Sequence, residues 1–522
     1  MLRYSFEPQR TQRNAEETHN GWFALLCVLC VLCGSNSLGA QPRPVDRAAL
    51  ARFDAYVAKA VKDWNAPGLA IAIVKDDSVV FAKGYGVREL GKADPVDAGT
   101  RFAIGSTTKA MTVAALGMLV DEGKLKWDDP VTKYLPDFRL SDPWVTPQIT
   151  VRDLLTHRTG LGNADLLWAG ADYSTAEIIR RVRYLPLAYS PRSQFIYQNI
   201  MYAAAGQVVE AVSGMPWEQF LRTRIFAPLG MSATVPLLAD LAGQPNVASP
   251  HAEIDDTMRV ITNRTVDPVK AAGSVWSSVS DMAKWMKFIL DSGRVGGNQL
   301  LKTATVKEIL TPQVVADHEY PTFDAVHAHF FDYGLGWFLQ DYAGQAIAMH
   351  TGSIDGMCAI IGLIPDKRIG VYVLENADHI ELRHALMYQV FDMYLGNTGH
   401  DWSAELKKLY DGLTAQARTA QQRAEAQHVT GTHPSLALDR YTGTYHSDAY
   451  GDVRVTLNGE TLHATFGRAY DGDLTHWQYD TFRANWKNRQ SGRGTLVFVP
   501  DGTGGVQALR AFGATFTKIK QN

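Results

Sequence analysis

The chain of 522 residues holds only four cysteines, and three of them, Cys27, Cys30 and Cys33, fall within its first forty residues. Beyond that point Cys358 stands alone, so no internal disulfide can staple the fold, which has to rest on apolar cores. Cys358 lies in the run Met357-Cys358-Ala359-Ile360-Ile361 and reads as a buried small hydrophobe. Charge of one sign is also missing. Lysine and arginine number 51 against 54 acidic residues, a formal net charge of −3. That balance excludes a basic nucleic-acid surface and a disordered acidic or basic tail. A membrane-spanning run is lacking as well. The apolar segment Trp22 to Cys33 has about a dozen residues, where a helix crossing a bilayer needs about 20. Preceded by Arg3, Arg10 and Arg13 and followed by Ser37-Leu38-Gly39-Ala40, it has the form of a signal peptide over residues 1–40. The expected location is therefore exported, periplasmic or secreted, with no stable membrane span after cleavage.

The length exceeds one ordinary core, so more than one domain is expected. Gly68 to Val74 is a continuous apolar strand, followed by the polar turn Lys75-Asp76-Asp77 and a second strand from Val79 to Ala82. A matching pair lies far downstream, Met357 to Ile364 and Ile369 to Leu374, joined at Pro365-Asp366. The intervening chain is mostly helical, with segments such as Asn199 to Val212 and Asp281 to Leu290. Strands from both ends with helices between predict an antiparallel sheet flanked by helices and carrying a helical lobe, an α+β fold. Ala404 to Gln427 has the composition of a solvated helical connector. From Leu436 onward short alternating strands with turn dipeptides such as Asn458-Gly459 predict six to eight strands in a small antiparallel barrel. The expected organisation is a catalytic-type domain over 45–400, a linker over 401–433 and an all-β barrel over 434–521.

Ser106-Thr107-Thr108-Lys109 sits at the mouth of an almost wholly apolar helix that runs to a stop at Gly123. The i to i+3 spacing stacks the hydroxyl and the amine on one face. A lysine carried into the interior is costly unless it sheds its proton or finds partners, and a neutral amine beside a serine activates it as a nucleophile. Two further triplets complete a candidate site. Tyr197-Gln198-Asn199 precedes a helix expected from Ile200, and His350-Thr351-Gly352 is expected to end a short strand, Ile347 to Met349.

Ser-x-x-Lys, Tyr-x-Asn and His-Thr-Gly, in this order, resemble the serine β-lactamase and penicillin-binding-protein superfamily. The likeness is to the branch of class C β-lactamases, D-alanyl-D-alanine carboxypeptidases, D-aminopeptidases and related esterases. It runs from about Val45 to Gly396 and includes Leu154-Leu155-Thr156-His157 and Tyr333-Gly334-Leu335-Gly336-Trp337. The barrel, with Leu474-Thr475-His476-Trp477, is similar to a lipocalin-like appendage of such hydrolases. The resemblance implies that Ser106 attacks a carbonyl, that Lys109 and Tyr197 share the work of general base, and that Tyr197 returns the proton to the leaving group. It further implies an oxyanion hole from the N–H groups of Ser106 and Ser353, with Asn199 holding a substrate amide, Thr351 and Gly352 in the same substrate-binding and oxyanion set, and His350 among the catalytic residues. His350 departs from the Lys-Thr-Gly of most β-lactamases and matches the peptidases and esterases better. Implied, then, is an exported serine hydrolase for amide or ester bonds, D-amino-acid peptides first among its substrates. A class C-like β-lactamase or an esterase is the alternative within the enzymes. A slow penicillin-binding sensor or scaffold is the alternative outside them. The partner expected is a small-molecule or peptide substrate, with no cofactor, no metal and no nucleic acid, and the oligomeric state is left open.

Other motifs carry bland readings. Arg158-Thr159-Gly160 has the wrong order and setting for a third motif and reads as a helix end, with His157 beside it a structural histidine. His327-Ala328-His329 has metal-like spacing on an expected strand but lacks supporting ligands. Asn263-Arg264-Thr265 matches a glycosylation acceptor, a pattern common by chance.

Overall fold

A computed structural model describes residues 46–316 and 320–520; the segment over 1–40 expected to be a signal peptide lies outside them. Among the described residues no helix is long and apolar enough to cross a membrane. The described residues begin with helix α1 (Arg47–Asp63) and the hairpin β1 (Gly68–Lys75) and β2 (Ser78–Gly86). Asp76 and Asp77 both have positive φ, the twist a two-residue hairpin turn requires. The helical lobe contributes α2 (Thr108–Asp121), α3 (Asn199–Ser213) and α4 (Val279–Leu290). The chain then returns as β3 (Val314–Val315), β4 (Phe331–Tyr333), β5 (Phe338–Tyr342), β6 (Gln345–Ile354), β7 (Met357–Ile364) and β8 (Ile369–Glu375), closed by α5 (Leu382–Leu395).

These strands form one antiparallel sheet in the order β2-β1-β8-β7-β6-β5-β4-β3. The two ends of the sequence meet where β1 pairs with β8, from Leu69 opposite Glu375 to Lys75 opposite Ile369. The unbroken apolar run of β1 follows from burial on both faces. Ala70, Ala72 and Val74 enter the core shared with the helical lobe, while Leu69, Ile71 and Ile73 enter a second core beneath α1 and α5.

Helix α6 (Trp402–Ala426) leaves this body and buries side chains only at its start, at Trp402, Ser403 and Leu406. Eight strands follow, β9 (Gly443–Ser447), β10 (Gly451–Asn458), β11 (Thr461–Phe466), β12 (Tyr470–Gln478), β13 (Thr481–Trp486), β14 (Arg493–Pro500), β15 (Val506–Ala511) and β16 (Ala514–Lys518). They close into a barrel, β9 pairing with β16. Its interior is a packed core in which Tyr441, Tyr445, Phe482 and Trp486 are buried. Trp477 lies outside that core, stacked 3.6 Å from His428 and 3.2 Å from the Arg483 guanidinium. Glycines let the barrel rest on the helical lobe. A side chain at Gly467 would strike the Gly170 carbonyl oxygen at 1.9 Å, and one at Gly451 the Tyr173 hydroxyl at 2.2 Å. Arg181 reaches across to the carbonyls of Asp448 and Ala449.

Three local expectations need correction. Strand β6 continues to Ile354, so His350-Thr351-Gly352 lies inside it, because the pairing with β7 runs on through Ser353 opposite Cys358. Helix α3 begins at Asn199, one residue earlier than expected. His327 lies in a turn with φ +52°, not in a strand, and the exposed His329 ring is 2.6 Å from Asp341.

Candidate active site

The cleft is built from the nucleophile turn outward. Gly105–Thr107 forms a single 3-10 turn leading directly into α2. Thr107 anchors the turn to the sheet through its hydroxyl, 2.6 Å from the Tyr372 hydroxyl on β8. Gly105 has φ +52°, and a β-carbon there would come within 2.6 Å of the Ser353 nitrogen. A β-carbon on Gly352 would come within 2.0 Å of the Ile104 carbonyl oxygen and 3.1 Å of the Ser106 nitrogen. Two glycines therefore let the β6 backbone approach the turn closely enough to bring the amides of Ser106 and Ser353 together.

Lys109 occupies the first turn of α2, one turn after Ser106, and is completely buried. Its Nζ lies 3.0 Å from Ser106 Oγ, 2.8 Å from Asn199 Oδ1 and 3.1 Å from the Ala272 carbonyl oxygen. The next carbonyl back, Ala271, accepts the Thr112 hydroxyl at 2.7 Å, so one face of α2 is tied to this loop by residues three apart. Nζ stands over the Tyr197 ring at 4.6 Å and the Tyr202 ring at 5.2 Å from their centroids. Burial pushes the lysine down to about 7, opposed by the Asp165 carboxylate. A neutral Lys109 has two N–H groups for Asn199 and Ala272 and a lone pair for the Ser106 hydroxyl, which then donates across the same 3.0 Å contact.

Tyr197-Gln198-Asn199 reaches the cleft in extended form, with φ −135° and ψ 113° at Gln198. Alternation turns Gln198 into the lobe, where its amide donates to the carbonyls of Leu161 (2.8 Å) and Gly162, while Tyr197 and Asn199 face the cleft. His157 fixes this segment. Its Nδ1 accepts the Gln198 N–H at 2.9 Å and its ring lies 4.4 Å from that of Tyr197. Burial holds His157 neutral, and Nε2, which carries the proton, has no hydrogen-bond partner among the described residues. The histidine is thus structural but only half satisfied. Gly160, with φ +90°, follows the Val151–Leu155 helix and ends the Arg158-Thr159-Gly160 triplet, away from the cleft.

On β6, Thr351 and Ser353 line the cleft, with Thr351 Oγ1 2.5 Å from the Tyr320 hydroxyl. His350 does not line it. It is buried below, its ring 6.2 Å from that of Tyr197, with Nδ1 donating to the Thr351 carbonyl at 2.6 Å and Nε2 3.0 Å from the Tyr333 hydroxyl. Burial, aided by Lys109, pushes His350 down to about 3, so it is a neutral imidazole. Behind the strand the buried Arg383 donates to the Gly352 carbonyl at 2.7 Å, to Ser353 Oγ at 3.0 Å and to the Ala359 carbonyl at 3.1 Å. Glu381 holds that guanidinium at 2.8 and 3.0 Å, and the pairing keeps its carboxyl well below the usual range despite burial.

The cleft has a volume of about 330 Å³ and brings together Ser106, Tyr197, Asn199, Thr351 and Ser353, with Lys109 beneath its floor. It also contains residues the sequence did not single out. Asp165 accepts from Asn199 Nδ2 at 3.1 Å and from the Trp168 indole at 2.7 Å. Arg264, from the glycosylation-like triplet, lies at the rim with Asp355. A second cavity of about 810 Å³ shares Trp168, Arg264 and Asp355 with the cleft and is walled on its far side by Arg468, Tyr470 and Gln490 of the barrel. Glu381-Leu382-Arg383-His384 was a legible signal, charges opening an otherwise apolar helix. Asp165 had none, and Arg264 stood out only within the glycosylation-like triplet.

The β-lactamase family model matches residues 53–392, which carry all three motifs. The chain belongs to the β-lactamase family. Residues 427–521 match a separate domain of unknown function, DUF3471. Unguisins hydrolase ungD of Aspergillus violaceofuscus is 31% identical over 446 residues, 79% of this chain and 78% of the relative. A protein of Escherichia coli O157:H7 named "Putative D-alanyl-D-alanine carboxypeptidase" is 30% identical, covering 63% of this chain and 82% of that one. The octameric penicillin-binding protein homologue of Pyrococcus abyssi has the same fold, with a TM-score of 0.61 at 24% identity over 90% of this chain and all of its own. This β-lactamase-family protein is a serine hydrolase with an α+β catalytic body and a closed eight-stranded barrel.

Proposed function

We propose that the protein is an exported hydrolase that cleaves amide or ester bonds through an acyl-enzyme on Ser106, with D-amino-acid peptides as its favoured substrates. The observation that carries this reading is the contact of 3.0 Å between Ser106 Oγ and a fully buried Lys109 Nζ. Neutral Lys109 takes the hydroxyl proton as Oγ bonds to the substrate carbonyl carbon, with Tyr197 sharing the work of base. The amides of Ser106 and Ser353 receive the oxyanion. Tyr197 then protonates the leaving nitrogen or oxygen as its bond to the carbonyl carbon breaks, and water releases the acyl group. Asn199 holds the substrate amide, while the neutral His350 supports Tyr197 and β6 from below. The domains proposed are the hydrolase over 45–400, a helical linker over 401–433 and a lipocalin-like barrel over 434–521, behind a signal peptide over 1–40.

Labelling tests the reading. A fluorophosphonate or labelled penicillin is expected on the Ser106 peptide after digestion of the purified protein, and label elsewhere, or none, overturns it. The pH dependence tests the base. Below about 7 Lys109 is protonated and its lone pair is gone, so kcat/KM on an uncharged ester is expected to fall about tenfold per pH unit on the acid side. His350 stays neutral through that range. A flat profile from pH 8 to pH 5 removes Lys109 as the base.

A further inference from the structure

The charge inside the cleft is informative about the substrate. The charged side chains lining it are Asp165, Asp355 and Arg264. Arg264 is committed: it lies 3.2 Å from Asp355, donates to the Ala169 carbonyl and stacks over Trp168. Asp165 is different. Its hydrogen-bond partners are the Asn199 amide and the Trp168 indole, both neutral, and it forms no ion pair among the described residues. Lys109 lies on the far side of Asn199, and it carries no charge when the substrate arrives, since it must be neutral to accept the Ser106 proton. A half-exposed carboxylate then faces the cleft without compensation, and its complement is a substrate cation.

The same cleft offers a substrate carboxylate hydroxyls but no uncommitted cation among the described residues. His350, where a lysine occupies the third motif of most β-lactamases, is buried, neutral and engaged by Tyr333 and its own strand. Arg383, the nearest guanidinium behind β6, is buried and already divided among Glu381, Gly352, Ser353 and Ala359. An incoming carboxylate would exchange its water for hydroxyls such as that of Ser353, with no free cation to balance its charge, beside two aspartates.

We infer that Asp165 binds a free α-ammonium on the acyl side of the scissile bond, so that the enzyme removes amino-terminal residues and is not a carboxypeptidase. The inference rests on the acyl-enzyme reading above and on Asn199, oriented by Asp165, as the group that meets the acyl-side nitrogen. The full chain is to be assayed at pH 7 with D-alanine p-nitroanilide, its N-acetyl derivative and N-acetyl-D-alanyl-D-alanine, alongside Ser106 labelling. The free amine is expected to exceed the acetylated substrate in kcat/KM by about 10- to 100-fold, the worth of one hydrogen bond to a charged group. Asp165→Asn is expected to bring that ratio close to one. D-Lactic acid p-nitroanilide, with a hydroxyl in place of the ammonium, repeats the comparison on the unaltered protein and decides the matter if the variant does not fold. Equal or faster turnover of the acetylated or carboxylate-bearing substrate overturns the inference, as does a ratio that survives in Asp165→Asn. Labelled Ser106 without turnover of any substrate overturns it too, leaving the acyl-enzyme intact. Unlabelled Ser106 overturns both.

Discussion

Ser106→Ala is expected to lower turnover by on the order of 10⁶-fold, the loss seen when a serine nucleophile is removed from a catalytic unit that otherwise stays in place. The effect is large because the rest of the site has no substitute for the missing oxygen. Lys109 is sealed beneath the floor, its Nζ stands over the Tyr197 ring, and the Ser106 and Ser353 amides proposed to receive the oxyanion would have no intermediate to stabilise. The fold is expected to survive. Ser106 is half-exposed and its hydroxyl bonds to the Lys109 side chain alone among the described residues, so the melting temperature should move little. Steady-state hydrolysis of a p-nitrophenyl ester, read together with thermal denaturation, separates the two effects. Residual activity within a hundredfold of the unaltered protein, with the fold intact, would mean that another group attacks.

Lys109→Met is expected to cost about 10²- to 10⁴-fold in the acylation step, the range for loss of a positioned general base. Methionine fills much the same volume, so the loss would be chemical and not steric. The stability of this variant carries an independent signature. Because the folded state depresses the lysine towards about 7, the folded protein binds fewer protons than the unfolded chain between that value and the ordinary lysine range. Stability conferred by the unaltered side chain therefore rises with pH through that window, and on the acid side the full cost of burying an ammonium is present. Methionine has no such slope, although it leaves Asn199 Oδ1 and the Ala272 carbonyl without their donor. The melting temperature of Lys109→Met relative to the unaltered protein is thus expected to be most favourable below pH 7 and to decline towards pH 10. A difference independent of pH would show that Lys109 titrates as an exposed lysine does.

The amino-acid order by itself determined a good deal. The two hairpins at opposite ends, the apolar run of α2 ending before Gly123, and the alternating strands after Gly451 each follow from local periodicity and turn chemistry, and the structure contains them all. The three motifs were legible because Ser106 and Lys109 are one helical turn apart, and Tyr197 and Asn199 flank one extended residue, spacings that local geometry sets. What no local pattern contains is the meeting of those motifs. Lys109 meets Asn199 across 90 residues, and Gly352 of β6 packs against Ile104 although the two lie far apart in the chain, in a sheet whose first and last strands, β1 and β8, pair side by side. The burial that neutralises His350 and lowers Lys109 to about 7 belongs to the assembled cleft, since desolvation depends on everything packed around a group and not on its neighbours in sequence. Asp165 was illegible for the same reason. A lone aspartate in a loop is ordinary until tertiary structure sets it against Asn199 and Trp168, with no cation beside it.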